Sequence, residues 1–406
     1  MSSEAGKPVA NPPSVLPVYP PSQPVVVASK GGGCGRALVV LFITGSLLLN
    51  LLLIIALASR DAEDPSDPSS GIVEKFVSGD NKASDKIAII RVEGVIVEGL
   101  LNFVHKQIEK VARDPKVKAI VLRIDSPGGT ITASQDLYAR LLELRDGTHL
   151  KAEGVARPII VSMGGVAASG GYYIAMASGT AEEGSYVMAE DITITGSIGV
   201  YVAMLNIAEF AQRYGIRMDL IKAGGIKASG SLFHEMSPQE RQPWQDMIDN
   251  AYDKFLAIVA TGRKGRLAKT DLEEVLNMPT PIKLYDSKGV PIKDADGQAK
   301  TVPYTRQRAD GGIFTTKKAI ELKLVDAQGT LKDAVAMAAK KAGLADSPYK
   351  AVKYERPTSL LESLLGVETR SAQTYLEPER LANLAIPRLW VMMPNAELSG
   401  LAATLR

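Results

Sequence analysis

Three times between residues 117 and 199, an apolar strand-like run ends in a glycine-rich turn. I-V-L-R-I leads into Asp125-Ser126-Pro127-Gly128-Gly129. I-I-V-S leads into Met163-Gly164-Gly165-Val166-Ala167-Ala168-Ser169-Gly170-Gly171-Tyr172-Tyr173, and a third run into Thr195-Gly196-Ser197-Ile198-Gly199. Short β-branched runs bounded by turns read as strands, and helical periodicity fills the gaps between them. The strands are expected at 86–96, 117–124 and 158–163; the helices at 101–113, 131–145 and, in a small-residue stretch, 167–178. This alternation predicts an α/β domain built on a parallel or mostly parallel sheet. In such sheets, sites form where strands end and helices begin.

The rest of the chain arranges itself around that domain. Residues 1–36 are rich in proline and glycine, cannot bury a core and are expected to be disordered. Residues 37–59 carry no charge, and as a helix they would span a hydrocarbon core about 30 Å thick. Lys30 and Arg36 precede this run, and Asp61, Glu63, Asp64 and Asp67 follow it. That bias predicts a single-pass membrane anchor, N-terminus cytoplasmic and the domain extracytoplasmic. Ala56-Leu57-Ala58 has the look of a cleavage site, so removal after Ala58 is the alternative, although the run exceeds an ordinary signal-peptide core. Residues 60–84 read as a polar linker, 85–345 as the globular domain and 346–406 as an irregular extension. The apolar end of that extension, Leu389-Trp390-Val391-Met392-Met393, can pack on the body or on a neighbour. Inside the domain, Ser237-Pro238-Gln239-Glu240 has the form of a capping box and starts a helix reaching about residue 260. Residues 280–307 read as a hairpin-bearing insertion, and 329–343 as an alanine-rich helix.

Composition narrows the chemistry. The single cysteine, Cys34, excludes an intrachain disulfide and a paired-cysteine zinc site. His105, His149 and His234 stand apart from one another, and none has metal-ligand spacing. No metal or cofactor is called for, and any hydrolase here must move protons without histidine. A net charge of +2 gives no basic excess for nucleic acid. Ser169 falls at the start of a helix among glycines and alanines, where a substrate backbone can approach and free N–H groups suit a developing oxyanion. The bland reading of A-A-S-G-G is tight helix–sheet packing. A serine nucleophile needs a base, and the remaining candidates are lysines. Lysine acts as a base only when neutral, so its pKa must fall from about 10.4. Lys222 and Lys227 both lie in I-K-A-G-G-I-K-A-S-G-S; Lys227 has small or apolar neighbours and no carboxylate beside it in sequence.

D-S-P-G-G, A-A-S-G-G-Y-Y, T-G-S-I-G, I-K-A-G-G-I-K and H-E-M-S-P-Q-E-R, followed by G-G-I-F-T-T-K-K-A-I-E-L-K-L-V-D, occur here in one order. That succession resembles the signal peptide peptidase A family over about residues 85–340, which would make 85–345 a peptidase domain. The resemblance implies the fold of Clp protease and crotonase, a superhelix of ββα units, with assembly into homo-oligomeric rings. It implies a serine endopeptidase with a Ser/Lys dyad, membrane-bound, acting on remnant signal peptides. Carried over by motif, Ser169 is the nucleophile, Lys227 rather than Lys222 the base, and Ser197 the hydroxyl that orients the lysine. The backbone N–H groups of Gly128 or Gly129 and of Gly170 form the oxyanion hole. This sequence departs from the family pattern at Ala228, where relatives carry aspartate, around Glu182–Ser185, and at Gly311–Thr316. The alternatives are a catalytically idle membrane scaffold and an acyl-CoA enzyme of crotonase type.

Overall fold

The computed structural model describes residues 33–58, residues 71–356 apart from 150–153, 181, 279, 287–288 and 295, and residues 389–392. The chain divides into two compact units, Met1–Glu63 and Asp64–Arg406. In the first, α1 (Gly33–Ala58) is a single helix. Its polar side chains turn back on their own backbone: Thr44 donates to Val40 O at 2.8 Å and Asn50 to Ser46 O at 2.7 Å. Side chains are described for residues 38–52, all exposed, a length of about 22 Å. Among the described residues no helix is long and apolar enough to cross a membrane. The run expected to do so, 37–59, extends past the described side chains at both ends.

The second unit runs β1 (Val73–Gly79), β2 (Lys86–Glu93), α2 (Asn102–Arg113), β3 (Val117–Ser126), β4 (Gly128–Thr130), α3 (Ile131–Asp146), β5 (Ile159–Ala168), α4 (Gly170–Ala175), β6 (Tyr186–Ala189), β7 (Ile194–Gly196), β8 (Tyr201–Val202), α5 (Ala208–Arg213) and α6 (Pro238–Gly262). After α6 come α7 (Lys269–Glu273), β9 (Leu276–Asn277), β10 (Ile282–Lys283), β11 (Thr301–Val302), β12 (Thr305–Arg306), β13 (Ile313–Thr315), α8 (Thr316–Glu321), β14 (Ala327–Gln328), α9 (Leu331–Lys341), β15 (Lys350–Glu355) and β16 (Leu389–Met392).

The central sheet has the order β1-β15-β2-β3-β5-β6-β14, with β7 continuing alongside β5 and β13 pairing β7. From β15 to β14 every neighbour on this path is parallel. Parallel strands are covered on both faces, which is why the centre of β3, Ala119-Ile120-Val121-Leu122, is an unbroken apolar run. Alternate residues point to opposite sides. Ile120, Leu122 and Ile124 face a core shared with α2, α3, α4 and α6, while Ala119 and Val121 face α9. The result is a mixed α/β domain with a central sheet.

Three stretches differ from the sequence reading. Residues 73–79, taken as linker, form edge strand β1, antiparallel to β15. Residues 350–355, taken as the start of the extension, form β15, which is inserted between β1 and β2. Both strands mix charged and apolar residues, so neither shows a continuous apolar run. Residues 167–168, taken as helix, complete β5, because Ala167 and Ala168 pair with Thr195 and Gly196 of β7. Residues 276–306 form nested antiparallel pairs, β9 with β12 and β10 with β11.

One buried ion pair locks the end of α6 to the sheet. Arg263 is fully buried and meets Asp326 through two hydrogen bonds, at 2.7 and 2.9 Å, while its Nε donates to Lys323 O. Asp326 also accepts the Val187 N–H at 2.7 Å and pairs with Arg266. Removing one partner of such a pair strands the other charge and costs about 3–5 kcal/mol. Arg263→Ala should therefore lower unfolding free energy in urea by about 3 kcal/mol, the low end because Arg266 remains. A loss below about 1 kcal/mol would contradict this reading of the pair.

Candidate active site

The three glycine-rich turns meet at one end of the sheet. Ser126, at the end of β3, pairs with Ala167 of β5, and Ala168 pairs with Gly196 of β7. Ser169 follows, and its N–H donates to Gly196 O at 2.8 Å. A methyl added to Gly171 would lie 2.8 Å from Ser126 O, so the first turn of α4 rests directly on the D-S-P-G-G turn. Tyr172 fixes α4 from its other side, donating to Leu324 O at 2.7 Å; burial pushes its hydroxyl far above the usual phenol range.

Ser169 sits at the N-cap of α4 with φ 55° and ψ −114°. A non-glycine residue there costs about 1–3 kcal/mol and persists only where its surroundings hold it. A normal N-cap serine accepts a bond from the helix; this one does not. Its hydroxyl is buried, with the residue 1% exposed, and makes no hydrogen bond with the described residues. The strained turn spends the capping role and leaves Oγ available. Ser197 lies beyond the next strand end, also at positive φ (51°), 3% exposed, with its N–H on Gly312 O. Ser197 also borders an open cleft of about 570 Å³ with Tyr201, Tyr252 and Asp310.

The Gly128 N–H is already taken by the Ser126 hydroxyl at 3.1 Å. Gly128 O and the Thr130 N–H both bond Ile96. Alternation along a strand then turns the N–H and C=O of Gly129 to the opposite edge, where β16 lies. Gly170 opens α4, so its N–H has no partner inside the helix. Backbone donors and a hydroxyl so arranged can serve acyl transfer.

The lysines separate clearly. Lys222 Nζ lies 3.3 Å from Glu240 Oε1 and donates to Gly225 O at 2.8 Å. Lys222 Nζ is thus engaged by the cap of α6 and by its own turn. Lys227 is exposed, on a turn whose N–H bonds Gly224 O at 3.2 Å, and forms no ion pair among the described residues. Within one chain it makes no hydrogen bond to Ser169.

Sequence reasoning read Glu240 only as the capping box of α6. The structure gives it more partners: the Ser237 N–H at 3.0 Å, the Ser237 hydroxyl at 2.9 Å and His234 Nε2 at 2.9 Å, besides Lys222. The Ser237 N–H first, then His234, with the Ser237 hydroxyl and Lys222 adding, draw its carboxyl down from 4.5 to about 2 against the opposing effect of burial. Ser126 was likewise missed; its signal is the serine two residues before a turn glycine, whose hydroxyl bonds the backbone two positions on. His105 and His149 lie away from the turns, on Asp136 and on Glu109 and Glu143. No group of three metal-binding side chains occurs among the described residues.

A strained, buried serine at a strand-to-helix turn of a mostly parallel sheet fits one class, an α/β hydrolytic enzyme of serine type. Comparison with known proteins narrows the class. Residues 151–275 match Peptidase family S49. A protein of Synechocystis sp. named as a protease is 32% identical over 285 residues, 70% of this chain and 84% of that one. The chloroplastic serine protease SPPA of Arabidopsis thaliana is 31% identical over 307 residues, 72% of this chain but 38% of its own length. A protein of Enterococcus faecium named as a signal peptide peptidase SppA is 26% identical over 334 residues, 77% of this chain and 82% of that one. The chain belongs to the signal peptide peptidase A family of serine peptidases, peptidase family S49.

Two outcomes test this geometry. Ser169→Gly should be more stable in urea than Ser169→Ala by about 1 kcal/mol, since glycine adopts φ 55° without strain; the opposite order would contradict the strain. Glu240, with its carboxyl depressed, contributes stability that is full above about pH 4.5 and is lost as pH falls toward 2. Melting temperatures of wild type and Glu240→Gln should therefore converge between pH 7 and pH 3. A gap that stays constant would count against the pairing.

Proposed function

We propose that this peptidase is a membrane-anchored endopeptidase that cuts extended peptides, remnant signal peptides among them, with Ser169 as nucleophile and Lys227 as general base. The observation that carries the reading is a segment of the chain already lying as a strand between β4 and β8. Strand β16, from the chain's own C-terminal part, runs antiparallel along β4, with Val391 opposite Gly129 and Met392 opposite Gly128. Its other edge pairs with β8, Leu389 opposite Val202. The groove between β4 and β8 takes a polypeptide backbone as an added strand, and β4 packs against the helix that Ser169 caps. A substrate held in this way presents its carbonyls along the edge where the Gly129 N–H points.

In the proposed reaction, neutral Lys227 takes the proton from Ser169 Oγ as that oxygen attacks the peptide carbonyl. The N–H groups of Gly129 and Gly170 hold the oxyanion. Gly128, whose N–H is engaged by Ser126, shapes the turn. Lys227 returns the proton to the leaving amine, then activates a water that releases the acyl group. Ser197 orients the lysine.

The base must reach the serine in a water-poor site. The segment that bears Lys227 also exposes Leu205, Phe210, Tyr214, Ile216 and Ile221, the last 99% exposed. An apolar surface of that kind favours a cover. Assembly into a homo-oligomer supplies it, and the dyad closes there. The uncharged run 37–59 supports the anchor, with the domain extracytoplasmic.

A serine-reactive acylating inhibitor should label Ser169 and fail to label Ser169→Ala. Ser169→Ala and Lys227→Ala should each cut hydrolysis of an apolar peptide by at least about 10³-fold, and the double variant should be no worse than either alone. Labelling that survives Ser169→Ala would remove Ser169 as the nucleophile, and an unlabelled wild type would favour the idle scaffold instead.

A further inference from the structure

We infer that Glu240 is a positioning residue for the base: one buried carboxylate ties down both ends of the loop that carries Lys227. The inference rests on the Ser169/Lys227 reading and extends it to how an exposed, glycine-rich turn holds its lysine in register.

A capping box asks one carboxylate oxygen to accept the N-cap N–H, and glutamine serves as well as glutamate. Glu240 Oε2 meets that need at Ser237. The carboxylate nevertheless holds two further donors from outside the helix. Oε1 takes Lys222 Nζ, upstream of Lys227, and Oε2 takes His234 Nε2, downstream of it. The Glu240 side chain is only 4% exposed, while Lys222 and His234 are about a third exposed. A carboxylate this buried, with cationic or N–H donors on both oxygens, is more than a cap requires.

Lys222 passes the constraint inward. The same ammonium donates to Gly225 O, two residues before Lys227. Three successive turns then carry the chain across: Lys227 N–H to Gly224 O, Ser229 N–H to Ile226 O and Ser231 N–H to Ala228 O. Within this stretch only Ala228 is buried. Two adjacent glycines and one buried methyl cannot fix a turn against its conformational entropy, which amounts to about 1–2 kcal/mol per residue. The Glu240 clamp supplies the missing restraint from both flanks. Lys222, the second candidate base in the sequence, thereby has a different task, as the link between clamp and turn.

The test is a double-mutant cycle on the full-length protein, read by peptide hydrolysis and by the rate of Ser169 acylation. Glu240→Gln keeps the helix cap and removes the charge. It should lower kcat at least tenfold with KM within about twofold. In a Lys227→Ala background it should leave the residual acylation rate unchanged, because a residue acting through the lysine has nothing left to position. Lys222→Met, which leaves the cap untouched, should reproduce both results and stands in if Glu240→Gln fails to fold. The inference fails if Lys227→Ala is inactive while Glu240→Gln and Lys222→Met stay within twofold of wild type. It fails equally if Glu240→Gln slows the Lys227→Ala protein by the same factor as wild type, which is the mark of a purely structural role. If Lys227→Ala keeps the wild-type rate, the dyad itself is wrong and the inference falls with it.

Discussion

The site depends on one backbone constraint, the hold that two neighbouring strands keep on Ser169. Its N–H is fixed to Gly196 O at the end of β7, and the residue before it is paired into the same ladder. From there the chain must turn into α4, and it does so through a left-handed serine. The strain is not an isolated defect. Gly171 allows α4 to sit against the turn at Ser126, and Tyr172 pins the helix to Leu324. The parallel sheet, the small residues and the buried tyrosine together overdetermine a conformation that serine alone would avoid.

The electrostatic half of the site is built differently. The serine is rigid and buried; the lysine proposed to serve it rides on an exposed turn. A buried carboxylate stands close by, yet it is spent on Lys222, His234 and Ser237. That division leaves Lys227 without an anionic partner among the described residues. The charged contacts of this loop are thus gathered at its two flanks, on Lys222 and His234.

Much of this was legible in the sequence, for physical reasons that differ by element. Strands β2, β3 and β5 announce themselves because a parallel sheet buried on both faces needs unbroken runs of Ile, Val and Leu. Helix α6 announces itself through Ser237-Pro238-Gln239-Glu240, where cap chemistry is local. The end of β5 was misread because Ala167 and Ala168 fit helix and strand alike, and only their pairing with β7 decides. Strands β1 and β15 were hidden because edge strand β1 and its inner neighbour β15 interrupt their apolar residues with charges such as Glu74, Lys75, Lys350 and Lys353. The three glycine turns were visible one by one; their meeting point follows from strand order, which no local pattern contains. The partners of Glu240 were likewise out of reach, since Lys222 and His234 come to it through the path of a loop.

The central claim is a distance. A structure of the full-length protein, in whatever assembly it adopts, should place Lys227 Nζ within about 3 Å of a Ser169 Oγ, close enough for a direct hydrogen bond. An amine that stays in bulk solvent in every assembled state, more than about three times hydrogen-bond reach from any such oxygen, would contradict the account.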